Sequence, residues 1–174
     1  VNTVFIKDGL LERVKAEGRR SPADVMLTVD FGNLVDLVES GLTQRVDSKV
    51  LNSSIPGNLR AANGHWYALS MRARAVYVSK ERTPITAISY EDLASPKWKD
   101  KICIRSGSHP YNTGLIAAYI AHHGEKEAEK WLRGVKANLA RPASGGDRDV
   151  ARDILGKICD IGVANTYYVG TMRT

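Results

Sequence analysis

The chain has 174 residues, 43% of them hydrophobic and 25% charged, the proportions of a folded globular protein rather than a fibrous or disordered one. Its 15 Gly and 6 Pro are scattered, which excludes collagen-like and low-complexity repeats, and no apolar run approaches the roughly 18 residues of a membrane-spanning helix. The 25 Lys and Arg against 19 Asp and Glu leave a net charge of +6 with no basic run interleaved with aromatics, which favours an anionic ligand or surface and argues against a nucleic-acid partner.

The first residues, Val1 to Ile6, are apolar and β-branched and predict a strand, followed by a turn at Asp8-Gly9. With no Met and no basic leader before Val1, and with Val169 to Thr174 reading as an unfinished turn or helix start, the sequence reads as an internal stretch of a longer chain. Leu10, Leu11 and Val14 make one apolar helix face, stopped by Gly18. Ala23 to Val29 is near-continuously apolar, the pattern of a strand covered on both faces. Asn33 then caps a helix from Leu34 to Ser40, ended by Gly41.

Residues 42 to 70 read as irregular, with turn signals at Ser53 to Asn58 and at Asn63-Gly64, before strands over Trp66 to Leu69 and Ala73 to Val78. A polar break at Glu81 to Pro84 marks a domain crossing, so residues 1–80 are expected to form part of a first lobe with its crossing strand and residues 81–174 most of a second. The second stretch repeats the alternation. A strand is expected at Lys101 to Arg105, helices at Asn112 to His123, Glu125 to Leu139 and Asp147 to Leu155, and a strand at Cys159 to Ala164. Strand and helix in alternation predict an α/β fold.

Several chemistries lack their signatures. The phosphate-cradling G-x-x-x-x-G-K-S/T, the dinucleotide G-x-G-x-x-G, the zinc-binding H-E-x-x-H, C-x-x-C and the hydrolase G-x-S-x-G are all missing. One spacing stands out instead. Cys103 and Cys159 are 56 residues apart, and so are Tyr111 and Tyr167. Each Cys lies on an expected strand, with a Tyr eight residues later in a loop. If those strands are parallel neighbours, both tyrosines emerge at their carboxyl edge, where open α/β sheets bind ligands. Tyr168 follows Tyr167, and the two can serve one site only if the chain has left the strand, an exit that Asn165-Thr166 supplies.

Three phenols at one edge suit a hard, highly charged cation. Their ordinary pKa of about 10 keeps them protonated at neutral pH, and only a strong Lewis acid displaces those protons. Fe(III) prefers oxygen ligands, and three phenolates cancel its charge. The bland alternative is that the three rings simply pack with their hydroxyls wet.

With that cluster in view, Ser21 to Val25, Asn63 to Arg74, Tyr90 to Leu93, Trp98 to Ile102 and Asn165 to Tyr168 together resemble the ferric-ion-binding periplasmic proteins of bacterial ABC transporters, in the type II periplasmic binding protein family. The resemblance runs over essentially the whole chain. It implies a two-lobed periplasmic-binding-protein-like fold, with helices packed on mixed, mostly parallel sheets and incomplete at both ends. It implies Tyr111, Tyr167 and Tyr168 as metal ligands, and Arg72, with Arg74 as the alternative, as an arginine on the other lobe that approaches the site or an accompanying anion. His109 is a candidate to line the cleft. The helix start at Asn112-Thr113 offers N–H groups to a synergistic anion such as carbonate or phosphate. Arg105 is left between an anion and a core carboxylate.

Cys103 and Cys159 form either a disulfide, given an oxidising envelope compartment, or two buried thiols. The functional expectation is a periplasmic, monomeric, non-enzymatic receptor that captures Fe(III) and delivers it to an ABC permease in the inner membrane. The family chain starts before the counterpart of Val1, with a segment that often supplies a further ligand, and continues past Thr174, so coordination by this chain alone is expected to be incomplete. Two competitors remain open: a receptor of the same fold for a small anion, a polyamine or thiamine, and an effector-sensing domain of a transcription regulator or an enzyme on the same scaffold.

Overall fold

The computed structural model describes residues 1–6, 9–168 and 170. The chain divides into two compact units, Val1–Met71 and Arg72–Thr174.

In the first unit, helix α1 (Leu10–Glu17) is stopped at Gly18, whose φ of 54° is one that residues with a Cβ avoid. Helix α2 (Gly32–Glu39) starts at Phe31, and the expected cap, Asn33, lies inside it. There Asn33 donates its backbone N–H to Asp30 Oδ1 at 3.3 Å, so Asp30 does the work expected of Asn33. Val14 and Leu37 are the buried apolar residues of this unit among those described. A third helix, α3 (Lys49–Ser54), occupies a stretch expected to be irregular; Ser48 caps it by accepting the Leu51 N–H at 3.4 Å.

Three expected strands do not form. Val1 to Ile6 and Ala23 to Val29 carry no regular structure, and Trp66 to Leu69 is reduced to a single bridge between Tyr67 and Arg60. The reason is the same each time. A strand exists only where a neighbour accepts its ladder, and none of the described residues of this unit pairs with these segments in a sheet, which leaves Val25 and Leu27 exposed. The expected turn residue Asp8 and the expected turn or helix start at the end of the chain lie outside the described residues, apart from Gly170.

The second unit holds a three-stranded mixed sheet in the order β1 (Arg74–Val78), β3 (Ile161–Asn165), β2 (Ile102–Cys103). β1 runs antiparallel to β3, from Arg74 opposite Asn165 to Val78 opposite Ile161. β2 runs parallel to it, with Ile102 opposite Ile161 and Cys103 opposite Gly162. β1 thus belongs to the same compact unit as the strands that follow it, and the division between the two units falls at Met71 and Arg72.

Helices α4 (Pro110–His123), α5 (Glu125–Ala137) and α6 (Asp147–Leu155) cover this sheet. The core joins Leu93, Trp98, Ile102, Trp131, Val135, Ile161 and Val163. β3 is buried at all five positions, as befits a central strand. Two glycines permit the closest approaches. A Cβ at Gly162 would run into Val150 Cγ1, and one at Gly134 would lie 2.7 Å from Ala94 Cβ. Asn138, just past α5, donates its side-chain N–H groups to the carbonyls of Leu93 and Ser95 and fixes the turn leading to β2. Among the described residues no helix is long and apolar enough to cross a membrane.

Candidate functional site

The disulfide and the tyrosines lie along the same pair of strands. Cys103 ends β2, whereas Cys159 precedes β3 by two residues, and a disulfide joins them across a Cα separation of 5.9 Å. With Cys103 opposite Gly162, the strand register runs three residues past the alignment that equal spacing suggests. The tyrosines meet despite that offset because the path from Cys103 to Tyr111 is not extended: the chain turns at Gly107-Ser108, where the His109 N–H donates to the Ser106 carbonyl at 3.3 Å, and then enters the first turn of α4, which carries Tyr111. Pro110 at the first helical position was the readable signal for that helix start.

β3 ends at Asn165, and the turn at Thr166-Tyr167 carries the adjacent tyrosines off the sheet. The phenol oxygens of Tyr111 and Tyr167 are 3.2 Å apart. The rings of Tyr167 and Tyr168 lie with centroids 4.4 Å apart.

Arginines surround the cluster. Arg105 and Arg74 place their guanidinium carbons 5.0 and 5.8 Å from the centre of the Tyr111 ring, and Arg148 lies 5.7 Å from that of Tyr168. The charge of Arg72 acts on both Tyr111 and Tyr167. All the candidate residues, Arg72 and Arg74 included, belong to the second compact unit.

These surroundings make the three phenols unequal. Burial, then the hydrogen bond and charge of Tyr167, hold Tyr111 above the ordinary tyrosine range, with Arg72 and Arg105 pulling the other way. Burial also opposes ionisation of Tyr167, but hydrogen bonds from Tyr111, Tyr168 and Asn165, with the charge of Arg72, outweigh it and bring that phenol below the ordinary range. Tyr168 is pushed up to about 12, by burial first, then by Tyr167 and by the charges of Asp147 and Tyr111. Tyr167 is therefore the first of the three to ionise, and its partners stabilise the resulting phenolate.

Three expected anion-site residues have other employment. His109 caps α4, its Nδ1 accepting the Tyr111 N–H at 3.2 Å, which requires that nitrogen to be unprotonated; its ring also meets the Tyr111 ring edge-on at 4.6 Å. The backbone N–H groups of Asn112 and Thr113 both donate to the His109 carbonyl, so the helix start does not present them to an anion. The Asn112 side chain is buried, accepting from Arg74 and donating to the carbonyls of Arg105 and Ser106. Arg74 is spent inside the protein, on Asp147, Asn165, Asn112 and the Val163 carbonyl. For Arg105 the core carboxylate is the partner, Asp147 at 3.1 Å. Asp147 and Arg148 were missed. Nothing in the sequence pairs residue 147 with 74 or 105, and the two residues read only as a helix start. Among the described residues no group of three or more His, Cys, Asp or Glu is arranged to hold a metal.

Comparison with known proteins shows the family. Residues 20–173 match the family model described as bacterial extracellular solute-binding protein. "Iron uptake protein A2" of Synechocystis is 44% identical over 160 residues, which cover 91% of this chain and 46% of that protein. Among solved structures, the "Bordetella ferric binding protein" superposes with a TM-score of 0.87 at 67% identity, over 100% of this chain and 55% of that one. The Trichodesmium protein solved in complex with iron and citrate ligands superposes with a TM-score of 0.87 at 45% identity, over 95% of this chain and 53% of its own. The chain thus spans about half the length of the relatives it matches, and its fold is that of the periplasmic binding proteins. It belongs to the bacterial extracellular solute-binding proteins.

Proposed function

We propose that this chain carries the principal ligands of a ferric-iron receptor: Tyr111, Tyr167 and Tyr168 hold Fe(III), and the protein delivers it as a monomer to an ABC permease from the periplasm. The observation that carries the reading is the 3.2 Å approach of the Tyr111 and Tyr167 hydroxyls, with Tyr168 beside them. Two hydroxyls that close, on segments 56 residues apart, share a proton as neutral groups and can share a cation as phenolates. The names of the relatives, an iron uptake protein and a ferric binding protein, point the same way.

The chain's own residues account for how capture proceeds. Tyr167, held below the ordinary range, yields its proton most readily. Tyr111 and Tyr168, held above it, remain protonated until a cation replaces the protons, which confines the site to strongly polarising, hard ions. Arg72 and Arg148 supply positive charge beside the phenols, suited to an anion such as citrate, carbonate or phosphate accompanying the metal. In this reading each compact unit belongs to one lobe of the receptor.

The test is a titration of the intact protein with ferric citrate, with ferrous and zinc ions, spermidine and thiamine as controls. A saturable visible absorption from tyrosinate-to-iron charge transfer is expected with ferric iron alone. Saturable but colourless ferric binding, or binding of thiamine or spermidine in its place, would leave the tyrosines as aromatic walls and overturn the proposal.

A further inference from the structure

Asp147, the first residue of α6, has a side chain with no exposed surface. Its carboxylate takes four hydrogen bonds from three directions. Arg105 donates to Oδ1 at 3.1 Å, Arg74 to both oxygens at 3.3 and 3.1 Å, and the backbone N–H of Asn165 to Oδ2 at 2.8 Å.

Every arm of this network ends next to a tyrosine. Asn165 is two residues before Tyr167 and also receives Arg74 on its side-chain oxygen at 3.0 Å. Arg74 continues to Asn112 Oδ1 at 2.8 Å, and Asn112 is the neighbour of Tyr111. Asn112 closes the circuit by donating to the carbonyls of Arg105 and Ser106, both at 3.1 Å. The two guanidinium groups also underlie the Tyr111 ring. Two segments that approach from different strands are therefore referred to a single buried carboxylate.

Stability alone is a poor account of such a group. Burying one carboxylate between two guanidiniums costs desolvation that their attraction only roughly repays, and apolar replacements of similar volume serve stability at least as well. The unit's apolar core lies elsewhere, around Trp98, Trp131 and Ile161. What the network provides and an apolar patch cannot is fixed direction, since each bond has a preferred length and angle.

We propose that Asp147 is the positioning residue of the tyrosine cluster, setting the Tyr111 and Tyr167 hydroxyls at their common point through Asn165, Arg74 and Arg105. It touches no cargo itself. The inference rests on the ferric reading for one of its two tests and on geometry alone for the other.

Asp147→Asn keeps the shape but turns an acceptor into a donor facing a guanidinium, and Arg105→Met removes one arm while keeping much of its volume. Val150→Ala, in the same helix and fully buried, is the control that costs packing without touching the network. In the intact protein, well below the melting temperature, Asp147→Asn is expected to lower ferric affinity about tenfold or more and to shift the charge-transfer band. Arg105→Met should do the same to a smaller extent, and Val150→Ala should change neither readout. Crystal structures of the metal-free Asp147→Asn and Arg105→Met proteins should show the Tyr111 and Tyr167 oxygens separated beyond hydrogen-bonding distance, about 3.5 Å.

Wild-type affinity and an unmoved band in both variants would overturn the proposal. So would an equal affinity loss in Val150→Ala, which would make the effect one of general stability. If Asp147→Asn does not fold, Arg105→Met decides. If the wild type takes up no ferric iron, the ferric reading fails, yet the metal-free structures still decide this inference: a retained hydroxyl contact refutes it and a lost one supports it.

Discussion

Replacing Cys103 and Cys159 together by alanine removes the covalent tie between β2 and the approach to β3. The closed loop spans a separation of 56 residues. In the chain-entropy treatment, a loop of that length constrains the unfolded state by about 4 kcal/mol at 25 °C. Both cysteines are buried and pack with Val150, so loss of the two sulfur atoms adds about 1–2 kcal/mol of packing. The sum is a large fraction of the 5–15 kcal/mol typical of a folded domain. Equilibrium urea unfolding, followed by the fluorescence of Trp98 and Trp131 in the same unit, should show a lower midpoint. The variant that still folds should retain the tyrosine geometry, because Cys103 is held to β3 by strand pairing as well. A loss below about 1 kcal/mol would refute the reasoning, since it would mean that the disulfide neither constrains the unfolded chain nor fills space.

Gly162→Ala would drive a methyl group into Val150 and Ile154 with the Cys103 carbonyl 3.2 Å away, and should destabilise by about 1–3 kcal/mol in the same urea assay. Gly134→Ala gains up to about 1 kcal/mol of helix propensity, yet meets Ala94 Cβ at 2.7 Å and its carbonyl oxygen at 3.0 Å, so the net change should still be a loss. His109→Ala removes the side-chain acceptor at the start of α4 and should cost about 1 kcal/mol, with looser placement of Tyr111 visible as a weaker ferric charge-transfer band. Binding should release protons, because phenols that are neutral at neutral pH bind as phenolates; ferric affinity therefore rises with pH and falls on acidification, by up to about tenfold per tyrosine per pH unit.

Much of the second unit is legible from residue pattern, because its signals are local. Gly124 between α4 and α5, the amphipathic spacing of Ala128, Trp131 and Val135, and the acidic start of α6 each specify an element within a few residues. The approach of Tyr111 to Tyr167 was legible for a different reason: the paired spacing of Cys103 with Tyr111 and Cys159 with Tyr167 points to two neighbouring segments, although the strand register is offset by three residues from the one that spacing implies. The first unit was less legible. Ala23 to Val29 has the composition of a buried strand, but composition does not supply a partner, and in the described chain the segment stays without a ladder. α3 was missed because its six residues, Lys49–Ser54, are rich in helix-indifferent Ser, Asn and Val and are held by Ser48 as a cap. The employment of Arg74 and Asp147, and their link to Asn112, was out of reach, since it depends on contacts 18 to 91 residues apart that no local pattern records.

The central claim is that the three tyrosines are ligands and not cleft walls. It is tested most directly by competitive ferric titration of the intact protein and of Tyr111→Phe, Tyr167→Phe and Tyr168→Phe at two pH values. Each substitution keeps the ring and removes one anionic oxygen, so stability should barely move while ferric affinity falls about tenfold or more. The largest loss is expected at Tyr167 or Tyr168, which share one turn, and each variant should release about one proton fewer per ion bound. Unchanged affinity and proton release in all three would contradict the account.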